Sequence, residues 1–300
     1  MSAMQVGALL AFDGGRNRGM EALASCARHA EDVGLSSFWV PEHVVFIDGA
    51  TSKYPYSVDG SANFGKRPGV YDPLIALTVA ATATTRIRLG TGVLILPQRE
   101  PVTLAQQVVA LDHASNGRFD LGIGIGWLRE EFAALGVPWA QRGARAEDYV
   151  RAIRALWRDD VVAHDGEFAT FSGVLAWPKP TNAAGPAIIV GGNTDAALAR
   201  VASIGDGWFG WNMDISEVHE RVAALRSRWA AARRDQATLR LIVGLPWAQP
   251  IEGLVRYAVE LAALGVDELV VAVAAPGIDN RERLDGLATL ANELASSADG

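Results

Sequence analysis

The sequence predicts a (β/α)8 TIM barrel, on three observations: short runs rich in Val, Ile and Leu, stretches of helical apolar spacing between them, and eight such runs within 300 residues. Near-continuous apolar runs suit a parallel sheet covered on both faces. Right-handed crossovers of eight units close into a barrel, whereas six would favour an open doubly wound sheet. Barrels of this length routinely form one core, so a single domain over residues 1–300 is expected.

In chain order the predicted strands are 4–10, 37–41, 87–96, 119–125, 187–191, 207–211, 239–245 and 268–274. Helical spacing joins Leu104, Val108 and Leu111; Tyr149, Ile153 and Leu156; Val218, Val222, Leu225 and Trp229; and Leu284, Leu287, Ala291 and Leu294. Pro101 suits the first turn of its helix, and Ser216 and Asn280 suit N-caps. Two stretches exceed a minimal barrel. Residues 44–71 follow strand two with few periodic apolar positions, on the face where barrel enzymes carry their sites. Residues 161–186, with Phe168, Phe171 and Trp177, form an insertion before strand five.

Half of the residues are apolar and a fifth charged, and no apolar run reaches bilayer length. Residues 1–12 lack a basic region ahead of their apolar stretch, which predicts a cytoplasmic protein. The one cysteine, Cys26, excludes an intrachain disulfide and reads as a small buried helix residue among Leu23, Ala27 and Ala30. A net charge of −7 argues against nucleic-acid or membrane partners and leaves a small-molecule substrate.

Functional groups of a barrel sit at the C-terminal ends of its strands, which directs attention to Pro41-Glu42-His43-Val44. His43 can donate or accept the proton that accompanies hydride transfer, and Glu42 can orient it or bind substrate. A loop histidine that only bonds backbone is the competing reading. His29, His113, His164 and His219 lie on helices or in the insertion and read as structural, and no spacing suggests a metal site. Gly90 and Gly92 in strand three admit a flat ligand or a small-residue layer of the barrel interior. Gly122, Gly124 and Gly126 close strand four off the dinucleotide register, with Trp127 able to cover a ring or simply to pack. The turn Gly191-Gly192-Asn193-Thr194 leaves strand five and opens a helix, so bare amides and a helix N-terminus offer an anion site, against a plain turn capped by Thr194.

These segments together, in this order, resemble the bacterial luciferase-like family of flavin- and F420-dependent oxidoreductases. The most specific stretch runs from Leu111-Asp112-His113-Ala114-Ser115-Asn116-Gly117-Arg118-Phe119 through the glycine strand to Trp127 and Glu130-Glu131-Phe132, supported by Gly205-Asp206-Gly207-Trp208. The resemblance implies a cofactor ring at the barrel mouth, a non-proline cis peptide at Gly92-Val93, a cofactor phosphate on Gly191, Gly192 and Asn193, and His43 near the reactive face. It also implies homodimers. Members that oxidise sugar phosphates carry a carboxylate where this chain has Trp127, so that chemistry is not expected; Glu130 or Glu131, a helical turn away, could substitute, but both read first as solvated helix charge. The leading expectation is hydride transfer between F420 and a small organic substrate, with Gly92, Val93, Gly126, Trp127, Gly191, Gly192, Asn193 and Thr194 around the cofactor and His43 and Glu42 as catalytic residues. Trp39 is expected to shape the pocket, both insertions to cover substrate, and Lys66, Arg67 or Lys179 to meet the acidic tail of F420. FMN-dependent monooxygenation and a flavin-binding barrel without turnover are the alternatives.

Overall fold

The computed structural model describes residues 4–10, 19–61, 70–247, 250–273 and 280–298. Eight parallel staves close into a barrel: β1 (Gln5–Leu9), β2 (Ser37–Val40), a third stave broken into β3 (Arg88–Thr91) and β4 (Leu94–Ile95), β5 (Phe119–Gly124), and, past the hairpin β6 (Val162–Asp165) and β7 (Thr170–Val174), then β8 (Ala187–Gly191), β9 (Gly207–Trp211), β10 (Arg240–Pro246) and β11 (Glu268–Ala272). The pairing of β3 with β5 closes the ring. The break in the third stave falls on the Gly92–Val93 peptide, which is cis. Position 274 of the predicted last strand lies outside the described residues.

Helices wrap the outside: α1 (Met20–Asp32), α2 (Pro73–Ala83), α3 (Pro101–Ser115), α4 (Arg129–Ala134), α5 (Arg142–Arg158), α6 (Asp195–Ile204), α7 (Ile215–Ala231), α8 (Ile251–Ala263) and α9 (Asn280–Ala298). Their apolar stripes explain the wrapping, because Leu104, Val108, Ile153, Leu156, Val222, Leu225, Leu284 and Leu287 are buried against the sheet. Pro101 opens α3 as predicted, but α7 is capped by Asp214 in a capping box with Glu217 instead of by Ser216. An aspartate two residues earlier satisfies the same amides, so the serine becomes an ordinary first-turn residue. Asn280 is the first residue of α9 and not its cap, and the position before it lies outside the described residues. Cys26 is buried in α1.

Inward-facing residues fill the barrel in layers, as strand alternation requires. At the N-terminal end, Glu268 accepts from the hydroxyls of Ser36 (2.6 Å) and Ser37 (2.5 Å), while Asp120 pairs with Arg88 and with Arg240 at 3.0 Å. Burial pushes the Glu268 carboxyl up, and the two serine donors oppose it. The middle layer is apolar: Leu9, Trp39, Ile189, Phe209, Ile242 and Val270. Trp39 is fully buried there, its Nε1 donating to Ser37 Oγ at 2.6 Å, and a Cβ on Gly90 would run into its indole ring. The flat group beside the glycines of strand three is therefore the protein's own tryptophan. Trp39 therefore sits buried in the lumen and does not line the pocket, because the glycine at 90 leaves room for its indole there.

The second insertion is also corrected. Its hairpin β6–β7 lies on the outer wall along α5, where Asp148 accepts from His164 (2.9 Å) and from the Phe168 and Ala169 amides (2.9 and 3.1 Å). Lys179 donates to the carbonyls of Leu156 (2.9 Å) and Asp159 (2.5 Å), where the C-terminal end of α5 draws a cation. That end of α5 faces the bottom of the barrel, away from the mouth, which removes Lys179 from the cations available to a cofactor. Lys66 and Arg67 lie outside the described residues.

Candidate active site

The backbone leaves β2 at Val40, turns at Pro41 and sets Glu42 and His43 on the C-terminal rim. Opposite them, Gly126 (φ +76°) turns the chain out of β5, and α4 follows, anchored by buried Leu128 and Phe132. A Cβ on Gly126 would approach the Phe132 ring to 2.7 Å, so close packing and backbone shape both favour glycine here. Its carbonyl lies 3.4 Å from Arg142 Nε.

Glu131 comes off the buried side of α4 and is fully enclosed. Its Oε2 lies 3.0 Å from His43 Nδ1, and its Oε1 accepts from the amides of Val44 (2.7 Å) and Val45 (3.3 Å). Glu130 faces the other way and grips the same loop further on, accepting from the amide and hydroxyl of Thr51 (2.8 and 2.9 Å) and of Ser52 (3.1 and 2.6 Å). Both glutamates therefore clasp the long second loop, which corrects their reading as solvated helix charge. The signal is present: Glu131 occupies the i+3 place of the stripe Leu128, Phe132, Leu135, where an acid faces the interior and needs partners to stay there.

Glu42 is corrected as well. Its carboxylate accepts from the Ile95 amide at 2.5 Å and pairs with Arg99, which also binds Asp72 at 2.7 Å. Burial pushes this carboxyl up while Arg99 and the amide pull it back, and the group is turned toward the break in the third stave. Alternation along the chain sends Glu42 and His43 to opposite sides, so the carboxylate next in sequence is not the one that meets the imidazole.

The floor of the mouth is Val93. Its isopropyl group lies where Cβ atoms on Gly124 and Gly191 would come to 2.7 and 3.0 Å, so those two glycines admit it between them. Gly244 makes room in the same way for Trp211. The loop after β2 then crosses the mouth. Phe46 packs on His43 (4.6 Å between centroids), Trp127 meets both His43 (5.6 Å) and Tyr54 (5.2 Å) edge-on, and Tyr54 meets Tyr56. The Trp211 indole donates to the Tyr54 oxygen, and Asn212 Nδ2 donates to the Tyr56 carbonyl at 2.8 Å. Burial and the neighbouring Tyr56 push the Tyr54 phenol up to about 12. Tyr54 and Tyr56 carry no spacing signal, because a loop has no period, and Trp211 stands at the end of β9, where its place in the strand does not say what its ring will meet.

The turn after β8 divides its amides. Gly192 (φ +121°) donates its amide to Phe209 O at 3.2 Å, Asn193 exchanges two hydrogen bonds with the Trp211 backbone (2.7 and 3.1 Å), and Thr194 caps α6 by accepting from Ala197 at 3.2 Å. Of the amides in this turn, that of Gly192 is bonded to backbone, and those of Asn193 and Thr194, with Asp195 and Ala196 at the helix start, are the ones an anion could meet. A second positive site lies beside it. Arg200 of α6 is buried, its Nε has no hydrogen-bond partner, and its Nη1 would stand 2.9 Å from a Cβ on Gly143 in the first turn of α5. That turn has no side-chain cap and no acidic residue, Arg142 stands in it, and Glu147 acts on Arg200 only from beyond ion-pair contact. Among the described residues, no cluster of three or more His, Cys, Asp or Glu could hold a metal, and no helix is long and apolar enough to cross a membrane.

The Glu130 clasp makes the loop sensitive to acid. The Ser52 hydroxyl and the Thr51 amide pull its exposed carboxyl down to about 2. A carboxyl that titrates lower in the folded state stabilises it fully above its ordinary value of 4.5, and that contribution is lost as pH falls toward about 2. Hydrogen-exchange protection of the Thr51 and Ser52 amides is expected to fall across that window, and to be low and pH-independent in Glu130→Gln. Undiminished wild-type protection at the acid end would remove the clasp.

A family model described as luciferase-like monooxygenase matches residues 4–249. Uncharacterized protein Rv0953c of Mycobacterium tuberculosis (strain ATCC 25618 / H37Rv) is 35% identical over 247 residues, 82% of this chain and 85% of that protein. An FMNH(2)-dependent dimethylsulfone monooxygenase of Pseudomonas putida is 28% identical over 152 residues, 50% of this chain and 42% of its own. Among solved structures, an F420-dependent secondary alcohol dehydrogenase in complex with an F420-acetone adduct superposes with a TM-score of 0.79 at 16% identity, covering 96% of this chain and 98% of that one.

Proposed function

The chain belongs to the luciferase-like monooxygenase family of oxidoreductases, and from that premise we propose that it transfers a hydride between F420 and a small organic substrate, with His43 as the proton carrier. The observation that carries this reading is an imidazole held by a buried carboxylate on the rim, beside a floor of Val93 that two glycines, Gly124 and Gly191, are placed to admit. When bound, the deazaflavin supplies the two-electron hydride donor or acceptor. Everything else falls to the chain's own residues. His43 takes or gives the proton that must accompany the hydride, Trp127 and Tyr54 exclude water above it, and Val93 would support the bound cofactor from below.

The residues present fit a phosphate-bearing cofactor. Two arginines converge on an uncapped helix start where the backbone is already positive, and one of them has an orphaned Nε, an arrangement that an oxyanion would complete. Arg142, Arg200 and the first amides of α6 would hold that group. The glycine-strand segment ending in Trp127 and Glu131-Phe132 resembles the deazaflavin subgroup, and the solved F420-dependent dehydrogenase shares the fold. The similarity to an FMNH(2)-dependent monooxygenase over half of the chain supports reduced flavin as the second reading.

Titration of the purified protein with oxidised F420 and separately with FMN, followed by fluorescence, decides between them. F420 is expected to bind at least about tenfold more tightly, a difference of about 1.4 kcal/mol. Arg200→Met is expected to weaken that binding by about 10- to 100-fold, since hydrogen bonds to a charged group contribute about 1.5–3 kcal/mol. Its thermal midpoint without cofactor should hold or rise, because an uncompensated buried cation is removed. Preference for FMN would transfer the reading to oxygen chemistry, and unchanged affinity in Arg200→Met would remove the arginine pair from the site.

A further inference from the structure

We propose that Glu131 is the positioning residue that makes His43 a base at Nε2. The inference rests on the reading of His43 as proton carrier and adds which ring atom works and what fixes it. A carboxylate has no proton to give, so the contact of 3.0 Å between Glu131 Oε2 and His43 Nδ1 requires the proton to sit on Nδ1. The lone pair of the neutral ring then lies on Nε2, across the ring. This is the less common arrangement for a free imidazole, and a buried carboxylate is a strong reason for it.

The same carboxylate is itself fixed. Its second oxygen accepts from the amides of Val44 and Val45, the two residues that follow His43, so main chain and ring are held by one group. Phe46 and Trp127 stand at 4.6 and 5.6 Å from the ring and limit its rotation. Among the described residues, Glu42 is engaged with Arg99, Glu130 with Thr51 and Ser52, and Tyr54 with Trp211, so none of these three competes with Glu131 for the ring.

In the proton-transfer step, a substrate O–H or N–H bond breaks, its electron pair stays on the substrate atom, and an Nε2–H bond forms. The oxidised cofactor, when bound, would supply the two-electron acceptor for the hydride that the substrate carbon gives up in the same oxidation. The resulting imidazolium is balanced by Glu131, an arrangement that favours the direction in which substrate is oxidised. Glu42, the acid adjacent in sequence, takes no part in it.

The test is the tautomer of His43, read from ring 15N chemical shifts in uniformly His-labelled protein without cofactor. In the neutral ring the Nδ1–H form is expected in the wild type, and the Nε2–H form or a mixture in Glu131→Ala. Glu131→Gln, whose amide oxygen can still accept from the ring or from the Val44 amide but not from all three donors, should recover part of the Nδ1–H signal. Turnover with the cofactor selected by titration should fall by about 100-fold in Glu131→Ala with KM changed less than about threefold. A wild-type ring in the Nε2–H form, or an Nδ1–H ring that survives Glu131→Ala, overturns the proposal. Because the tautomer is read without cofactor or substrate, that outcome is distinct from failure of the hydride-transfer reading, which would appear as full turnover in His43 variants.

Discussion

Replacing His43 with alanine is expected to lower turnover by about 10²- to 10⁴-fold, the contribution of a positioned general acid or base, while cofactor affinity stays within about threefold. The separation of the two effects follows from the geometry. The loop that carries His43 is held by main-chain amides at Val44 and Val45 and by Glu130 at Thr51 and Ser52, so loss of the imidazole does not release it. The floor at Val93 and the arginine pair at Arg142 and Arg200 belong to other segments and are untouched. Steady-state kinetics and a cofactor titration on the same preparation measure both. Added imidazole should restore part of the rate. Turnover within threefold of the wild type would show that the proton travels by another route, and a parallel loss of cofactor affinity would make the residue a binding group.

The second large effect is structural. Gly122 lies on β5 where β3 closes the barrel, and a Cβ there would stand well inside van der Waals distance of the Thr91 carbonyl. Thr91 also donates its hydroxyl to the Gly122 carbonyl at 2.6 Å, which draws the two strands together at this point. The obstructing atom is backbone, so no side-chain rotation can relieve the clash. Gly122→Ala is expected to cost at least about 3 kcal/mol, at the upper end of overpacking effects, and to lower the thermal midpoint by about 10 °C. Circular dichroism melts of the two proteins compare them. A midpoint within about 2 °C of the wild type would mean that the closure has slack and that the glycine is there for another reason.

The strand glycines illustrate how far sequence reasoning reaches. Gly90, Gly122, Gly124 and Gly191 were legible as places of close approach, but the approaching groups are Trp39, the Thr91 carbonyl and Val93. A missing side chain announces a neighbour without naming it. His43 was legible from its place after the second strand, and Glu131 was assigned to solvent because charge on a short helix usually is solvated. Trp127 was legible as a cover, and the structure sets it edge-on to His43 and Tyr54. The hairpin β6–β7 was read only as an insertion, since its strands are short and half-exposed and carry little apolar alternation.

The sequence by itself determined the eight staves, the apolar stripes of α3, α5, α7 and α9 that cover them, the rim on which chemistry is possible and the turn that opens α6. It could do so because burial leaves a local record, with period two in strands and 3.6 in helices. Only the tertiary structure decided that Glu131 meets His43 across 88 positions, that Glu42 turns to Arg99, and that Arg200 presses on Gly143. Partnerships of this kind arise when β3 closes on β5 and α5 packs beside α6. Residues far apart in the chain meet through strand order and helix packing, which no period in either segment encodes.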